Sequence, residues 1–107
     1  MKEGERTALR RQLDKEMRPF REAARSEDQT DMLLRVVRQA LGIPVAELAR
    51  KLGVRPSVVF ALEHSERRGT ISMRSLTLAA EAMNCSLVYG IVPGNGKTLQ
   101  GLWEERE

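Results

Sequence analysis

Six basic side chains form two short clusters near the middle of this 107-residue chain, whose formal net charge is +3. One cluster surrounds Gly53 and the other lies further along the chain; together they comprise Arg50, Lys51, Arg55, Arg67, Arg68 and Arg74. Guanidinium and ammonium groups attract phosphate oxygens, so a polyanionic partner is one interpretation of these clusters. The other interpretation is an ordinary solvated surface. Because the two clusters flank one short predicted helix, we favour the first.

The remaining titratable residues do not predict a catalytic or metal site. His64 is the only histidine and Cys85 the only cysteine, which excludes an internal disulfide and a thiolate zinc cluster within one chain. There is no glycine-rich phosphate loop and no carboxylate cluster with suitable spacing. We therefore predict a protein that is not an enzyme and needs no metal or cofactor. No apolar run approaches the roughly 20 residues that cross a bilayer, so we expect a cytoplasmic protein without membrane contact.

Two short predicted helices lie between the basic clusters. The first covers residues 45–52 and is stopped by Gly53, and the second covers residues 56–63, before a polar loop at 64–70. Ala49 is small enough to let the second helix pass close to the first. This spacing is typical of a helix-turn-helix, which places its second helix in the major groove of DNA.

The hydrophobic pattern changes after the last predicted helix. A β-branched and aromatic run follows it and predicts one strand, with core residues Leu87, Val88, Tyr89, Ile91 and Val92. A lone strand leaves its backbone groups unpaired, and no second strand is evident in the chain. We therefore expect the strand to pair with its counterpart in a second copy, across a two-fold axis.

These patterns predict an all-α bundle of four to five helices with one C-terminal β-strand that pairs across a dimer. The predicted organisation is a helical arm at residues 1–30, with an amphipathic helix near its start, and a helix-turn-helix domain at 31–85. The dimerisation strand then covers 86–93, and residues 94–107 form a tail. The arm is either a further core helix, a dimer element or a contact for another protein.

The central part of the chain resembles the lambda-repressor-like (XRE) helix-turn-helix family. The matching blocks are Leu41-Gly42-Ile43, Glu47-Leu48-Ala49, Leu52-Gly53-Val54 and Leu62-Glu63. The wider chain is similar to a narrower group, mobile mystery protein A, through residues 9–14 and through residues 79–89 leading into Val92-Pro93. Members of that group accompany Fic-domain proteins, which implies a regulator or antitoxin-like protein with a Fic-domain partner.

The resemblance also implies roles for individual residues. The base-facing positions of the recognition helix would be Pro56, Ser57, Phe60 and Ala61. Phe60 and Ala61 replace the usual polar or basic pair, so Ser57 is almost the only donor on this surface. Apolar groups contact thymine methyls, so this departure indicates either A·T-biased recognition or loss of DNA binding. Arg38 and Glu63 stand where the family has an ion pair that joins its first and third helices.

We therefore predict a dimeric, sequence-specific DNA-binding regulator that represses its own transcription unit. In the family's fold the six basic residues fall where the protein meets DNA phosphates, which position it on the duplex without specifying sequence. The expected partners are a double-stranded DNA operator and a second copy of the chain, with a Fic-domain protein as a further partner. The alternative is a protein-binding antitoxin or inhibitor module with weak or lost DNA binding.

Overall fold

A computed structural model describes residues 1–25 and 30–106 of the chain. The α-helices within these residues are α1 Glu3–Glu16, α2 Arg18–Ala24, α3 Leu33–Ala40, α4 Val45–Leu52, α5 Pro56–Arg68, α6 Met73–Ala82 and α7 Leu99–Arg106, and a short 3-10 helix covers Gly94–Gly96. The predicted all-α class is confirmed, although the described residues form more helices than the four to five expected. The chain divides into two compact units, which we call the central unit (residues 30–88) and the terminal unit (the described parts of 1–29 and 89–107).

The central unit packs helices α3 to α6 around a small apolar core. Its buried members are Leu34, Leu48, Ala49, Val59, Ala79 and Met83. Ala49 and Ala79 are 2% and 1% exposed, and their small side chains let neighbouring helices approach closely. Because each helix contributes one apolar face, the four helices can stay short and still share a core.

Gly53 makes the turn between α4 and α5. Its backbone is left-handed, with φ 70° and ψ 32°, a conformation that costs an L-residue with a side chain about 1–2 kcal/mol. The Val54 N–H donates to the Ala49 carbonyl at 2.9 Å and the Gly53 N–H to the Arg50 carbonyl at 3.1 Å. These two bonds satisfy two of the four carbonyls in the last turn of α4 and fix the direction in which α5 leaves.

Helix α5 is longer than the sequence pattern predicts. The segment His64–Arg68, expected as part of a polar loop, continues the helix, which ends at Gly69 with φ 74°. One physical reason is a contact distant in sequence: the Leu34 N–H, in the first turn of α3, donates to the Glu66 carboxylate at 2.8 Å. Since that bond satisfies an otherwise unpaired donor of α3, it favours an extra turn of α5.

The strand predicted at residues 86–93 is not formed in the structure. Residues 85–93 have neither helical nor strand structure, and none of residues 86–93 makes a backbone hydrogen bond to a residue that the structure describes. The physical reason is that a strand needs a ladder partner, and the described part of a single chain supplies none. The pairing of Leu87, Val88, Tyr89, Ile91 and Val92 with a second copy therefore stays a prediction.

The terminal unit consists of α1, α2, the segment after residue 88 and α7. The predicted tail is largely helical, because Asp14 of α1 accepts hydrogen bonds from the Leu99 and Gln100 N–H groups at 2.8 and 3.2 Å and so caps the start of α7. The Arg10 guanidinium lies 4.3 Å from the centre of the Trp103 ring. None of the described residues of this unit is fully buried. Residues 26–29 of the predicted arm, and Glu107 of the tail, lie outside the described residues.

Candidate nucleic-acid interface

One face of α5 points away from the core of the central unit. The helix buries Val59 and Glu63, each 2% exposed, because they lie four residues apart and so on the same side. The exposed side carries all four residues that the resemblance marks as base-facing, namely Pro56, Ser57, Phe60 and Ala61. The structure thus brings these four side chains together on one accessible surface, where Phe60 is 49% exposed.

The extension of α5 adds two residues to this surface, His64 and Arg68, which the sequence analysis placed in a loop. His64 is exposed and follows Ser57 by seven residues and Ala61 by three, so it lies on the same face; Arg68 follows it by four. Val58, 39% exposed, flanks the same surface. The sequence feature that could have predicted the longer helix is the helical period, which continues past Glu63 although the residue types there are typical of a loop.

The turn cluster, which we define as Arg50, Lys51 and Arg55, lies at the N-terminal end of α5. Arg50 and Lys51 occupy the last turn of α4, and Arg55 is the residue immediately before α5. Lys51 Nζ lies 3.9 Å from Glu47 Oε1. Arg50 and Arg55 form no ion pair with any residue that the structure describes. Two exposed guanidinium groups therefore stand unneutralised beside the first turn of α5.

The helix-end cluster, which we define as Arg67, Arg68 and Arg74, lies at the opposite end of α5. Arg67 and Arg68 belong to its last turn and Arg74 to the first turn of α6. The 13 residues of α5 span about 20 Å at about 1.5 Å per residue, so the structure does not bring the two clusters together. Basic residues in a last helical turn also stabilise the helix, because their charge interacts favourably with the negative end of the helix dipole. Arg67 and Arg68 therefore have a second role.

Within the described residues, Arg67 is the one member of the helix-end cluster that forms an ion pair. Its Nε lies 3.8 Å from Asp31 Oδ2, with both side chains mostly exposed. An exposed pair of this kind contributes little and is screened by salt. Arg67 therefore remains able to exchange its carboxylate partner for a phosphate.

Arg38 and Glu63 form a buried pair between α3 and α5. Arg38 Nε donates to Glu63 Oε2 at 2.9 Å, and Arg38 Nη2 donates to Glu63 Oε1 at 3.2 Å. Arg38 Nη1 also donates to the Ile43 carbonyl at 3.2 Å. With both carboxylate oxygens occupied and Glu63 only 2% exposed, this pair is unable to reach a ligand at the surface of α5. Its geometry holds the exposed face in place.

The formal charge of the chain resides in the central unit. Residues 30–88 contain eight basic and five acidic side chains, a net of +3, whereas residues 1–29 and 89–107 together contain ten of each. The full excess of positive charge therefore belongs to the unit that carries α5. A positive excess in this unit favours a polyanionic partner.

In residues 1–25 and 30–106, no group of three or more His, Cys, Asp or Glu side chains is arranged to hold a metal ion. No helix in this part of the chain is long and apolar enough to cross a bilayer. Cys85 is partly buried, and its Sγ lies 3.5 Å from the Met83 carbonyl oxygen.

Comparison with known proteins supports this description of the central unit. A Helix-turn-helix family model matches residues 34–89, which is more than half of the chain and includes helices α3 to α6. Searches of curated proteins and of solved structures found no match. The family match does not extend to the narrower Fic-associated group. With its turn at Gly53 and its exposed α5, the chain belongs to the XRE-like helix-turn-helix family of DNA-binding regulatory domains.

Proposed function

We propose that this chain is a sequence-specific transcriptional regulator that binds an operator as a homodimer and represses its own transcription unit in the cytoplasm. The observation that carries the proposal is the exposed face of α5, which starts beside the unpaired guanidinium groups of Arg50 and Arg55. The family match supports DNA binding in general. Repression, dimerisation and the individual contacts are our inference.

In the proposed complex the N-terminal half of α5 enters the major groove. That groove is about 12 Å wide and admits one α-helix. Pro56, Ser57, Phe60 and Ala61 then face the base edges, while the turn cluster and the helix-end cluster contact phosphates on either side of the groove. Phosphate contacts set the position and orientation of the protein, and the α5 side chains select the sequence.

The terminal unit supplies the support for a homodimer. Tyr89 and Ile91 are 67% and 82% exposed and border an apolar groove that also includes Leu13, Met17 and Leu99. Gly90 of this segment packs closely against α2, because a Cβ added there would lie 2.7 Å from Phe20 Cγ. Since the formal charges of the terminal unit cancel, two copies meet without net repulsion. We propose that residues 87–92 of two chains pair there, with recognition helices about 34 Å apart.

The test is a titration of duplex DNA from the region upstream of the gene with the purified full-length protein. The double variant Arg50→Ala/Arg55→Ala should bind more weakly, and its salt slope should fall by about 3.6, since the homodimer loses four phosphate contacts and each contributes about 0.9. The variant Arg67→Ala/Arg68→Ala should show the same direction of change. Arg11→Ala is the matched control, because Arg11 is an exposed arginine of the terminal unit.

Three results would contradict parts of this proposal. If the unmodified protein binds upstream DNA no better than unrelated DNA at any salt concentration, sequence-specific binding is wrong. If Arg11→Ala flattens the salt slope as much as the double variants, the phosphate contacts have been assigned to the wrong surface. A mass measurement in solution that gives a monomer at operator-binding concentrations would contradict the homodimer.

A second candidate function is that of an antitoxin or inhibitor that binds a protein, such as a Fic-domain partner. The observation that favours it is the terminal unit, whose exposed Tyr89 and Ile91 and zero formal net charge suit a protein partner better than DNA. The discriminating measurement is whether the purified chain alone shifts its promoter DNA. A shift only in the presence of the partner favours this second function.

A further inference from the structure

We propose that the first two turns of α5 recognise thymine methyl groups, so that the operator carries A·T pairs where the helix enters the major groove. This inference rests on the proposed function, and it names the class of DNA sequence that the regulator selects. The exposed side chains of these turns are Pro56, Ser57, Val58, Phe60 and Ala61. Ser57 is the only one among them with a hydrogen-bonding group.

The chemistry of the base edges restricts what this surface can distinguish. Guanine is read by the paired donors of Arg or Lys, adenine by the amide of Asn or Gln, and cytosine by a carboxylate. Residues 56–62 contain none of these residue types. The next such residue is Glu63, whose two carboxylate oxygens are both bonded to Arg38. Paired hydrogen-bond recognition is therefore not available in the first two turns.

Thymine is the one base that offers an apolar group in the major groove. Phe60 and Val58 are 49% and 39% exposed, so both present hydrocarbon that a C5-methyl group can cover. Burying a methyl-sized group contributes about 0.8 kcal/mol, and each contact therefore corresponds to a roughly four-fold change in affinity. Ser57 adds one donor and acceptor, which suits either purine.

Charge determines which partner covers this apolar face. The central unit has a net charge of +3, and Arg50 and Arg55 at the start of α5 have no carboxylate partner in the described residues. A phosphate-bearing partner neutralises both groups, whereas an apolar protein surface would bury them unpaired. DNA is therefore the occupant to which we commit, and a protein on this face is an outcome of the test.

The experiment uses the full chain and two DNA probes. A random-sequence duplex pool is first selected with the protein, and A·T pairs should be enriched at positions protected from major-groove modification. Each thymine of the selected duplex is then replaced by deoxyuridine, which removes only the methyl group. The affinity of the unmodified protein should fall about four-fold for each contacted thymine.

A matched pair of variants tests whether α5 is the part of the protein that contacts the thymine methyl group. Phe60→Ala should weaken binding to the thymine duplex and reduce the penalty for deoxyuridine at one position in each half-site. Leu78→Ala is the control, since Leu78 is an apolar residue of α6 with similar exposure, 47%, and should leave the penalty unchanged. Both side chains are exposed, so neither variant should disturb the core, and circular dichroism checks this.

The outcomes separate this inference from the proposed function. If the protein selects a sequence but deoxyuridine leaves its affinity unchanged, or the protected positions are G·C, methyl recognition is wrong and DNA binding stands. If no sequence is selected, both proposals fail, and the apolar face of α5 is then a contact surface for another protein. The deoxyuridine comparison needs no variant, so misfolding does not affect it.

Discussion

The buried pair of Arg38 and Glu63 gives the sharpest test of how this fold is held together. We consider Arg38→Met, Glu63→Leu and the double variant, which replace charged groups by apolar groups of similar length. Removing one partner of a buried ion pair typically costs about 3–5 kcal/mol, because the other charge stays buried without a counterion, whereas replacing both is often nearly neutral. The double variant should therefore be more stable than either single variant.

The structure also predicts the order of the two single variants. Arg38→Met leaves a carboxylate that is 2% exposed and loses both of its hydrogen bonds. Glu63→Leu leaves a guanidinium that is 8% exposed and keeps its bond to the Ile43 carbonyl. Arg38→Met should thus lie near the upper end of the range of about 3–5 kcal/mol, and Glu63→Leu near the lower end.

Urea unfolding followed by far-ultraviolet circular dichroism measures these free energies. Intrinsic fluorescence is unsuitable, because the only Trp and the only Tyr of the chain are Trp103 and Tyr89, both in the terminal unit. The control is the exposed pair Arg18 and Glu22, 3.5 Å apart, whose double-mutant cycle should give at most about 0.5 kcal/mol. The reasoning is refuted if the double variant at Arg38 and Glu63 loses the sum of the two single losses.

Two further predictions concern the turn and the terminal unit. Gly53→Ala should lower the free energy of unfolding by about 1–2 kcal/mol, because alanine is strained at φ +70° although its Cβ meets open space; an unchanged thermal midpoint would contradict this. Asp14→Ala should cost about 0.5–2 kcal/mol by uncapping α7 and should shift the emission of Trp103 to longer wavelength, while Asp14→Asn should shift it less. Identical spectra for all three proteins would show that Asp14 does not hold α7 in place.

The sequence was sufficient to predict the parts of the fold that depend on local signals. Gly53 tolerates positive φ, and Pro56 favours the first turn of a helix. Together they predict a turn between two helices. The outward positions of α5 came instead from the family resemblance, which marks Pro56, Ser57, Phe60 and Ala61, and the structure exposes all four.

Contacts between distant residues account for the parts that were missed. The end of α5 depends on the bond between Leu34 and Glu66, and the position of α7 depends on Asp14, 85 residues before Leu99. No local pattern contains such information. The β-branched run at 87–92 illustrates the converse, since its residue types favour a strand while its hydrogen bonds would need a partner that the described chain does not provide.

Helix α5 is attached to α3 at two points, because Glu63 binds Arg38 and Glu66 binds the backbone of Leu34, three residues apart on one face of α5. Two such attachments oppose rotation of the helix about its long axis and also a change in the direction of that axis. In the proposed complex, a helix held in this way binds the major groove as a rigid body, so association loses little conformational entropy in the protein. We therefore expect the heat capacity change on binding to match the apolar area covered at the interface, without a contribution from coupled folding of α5.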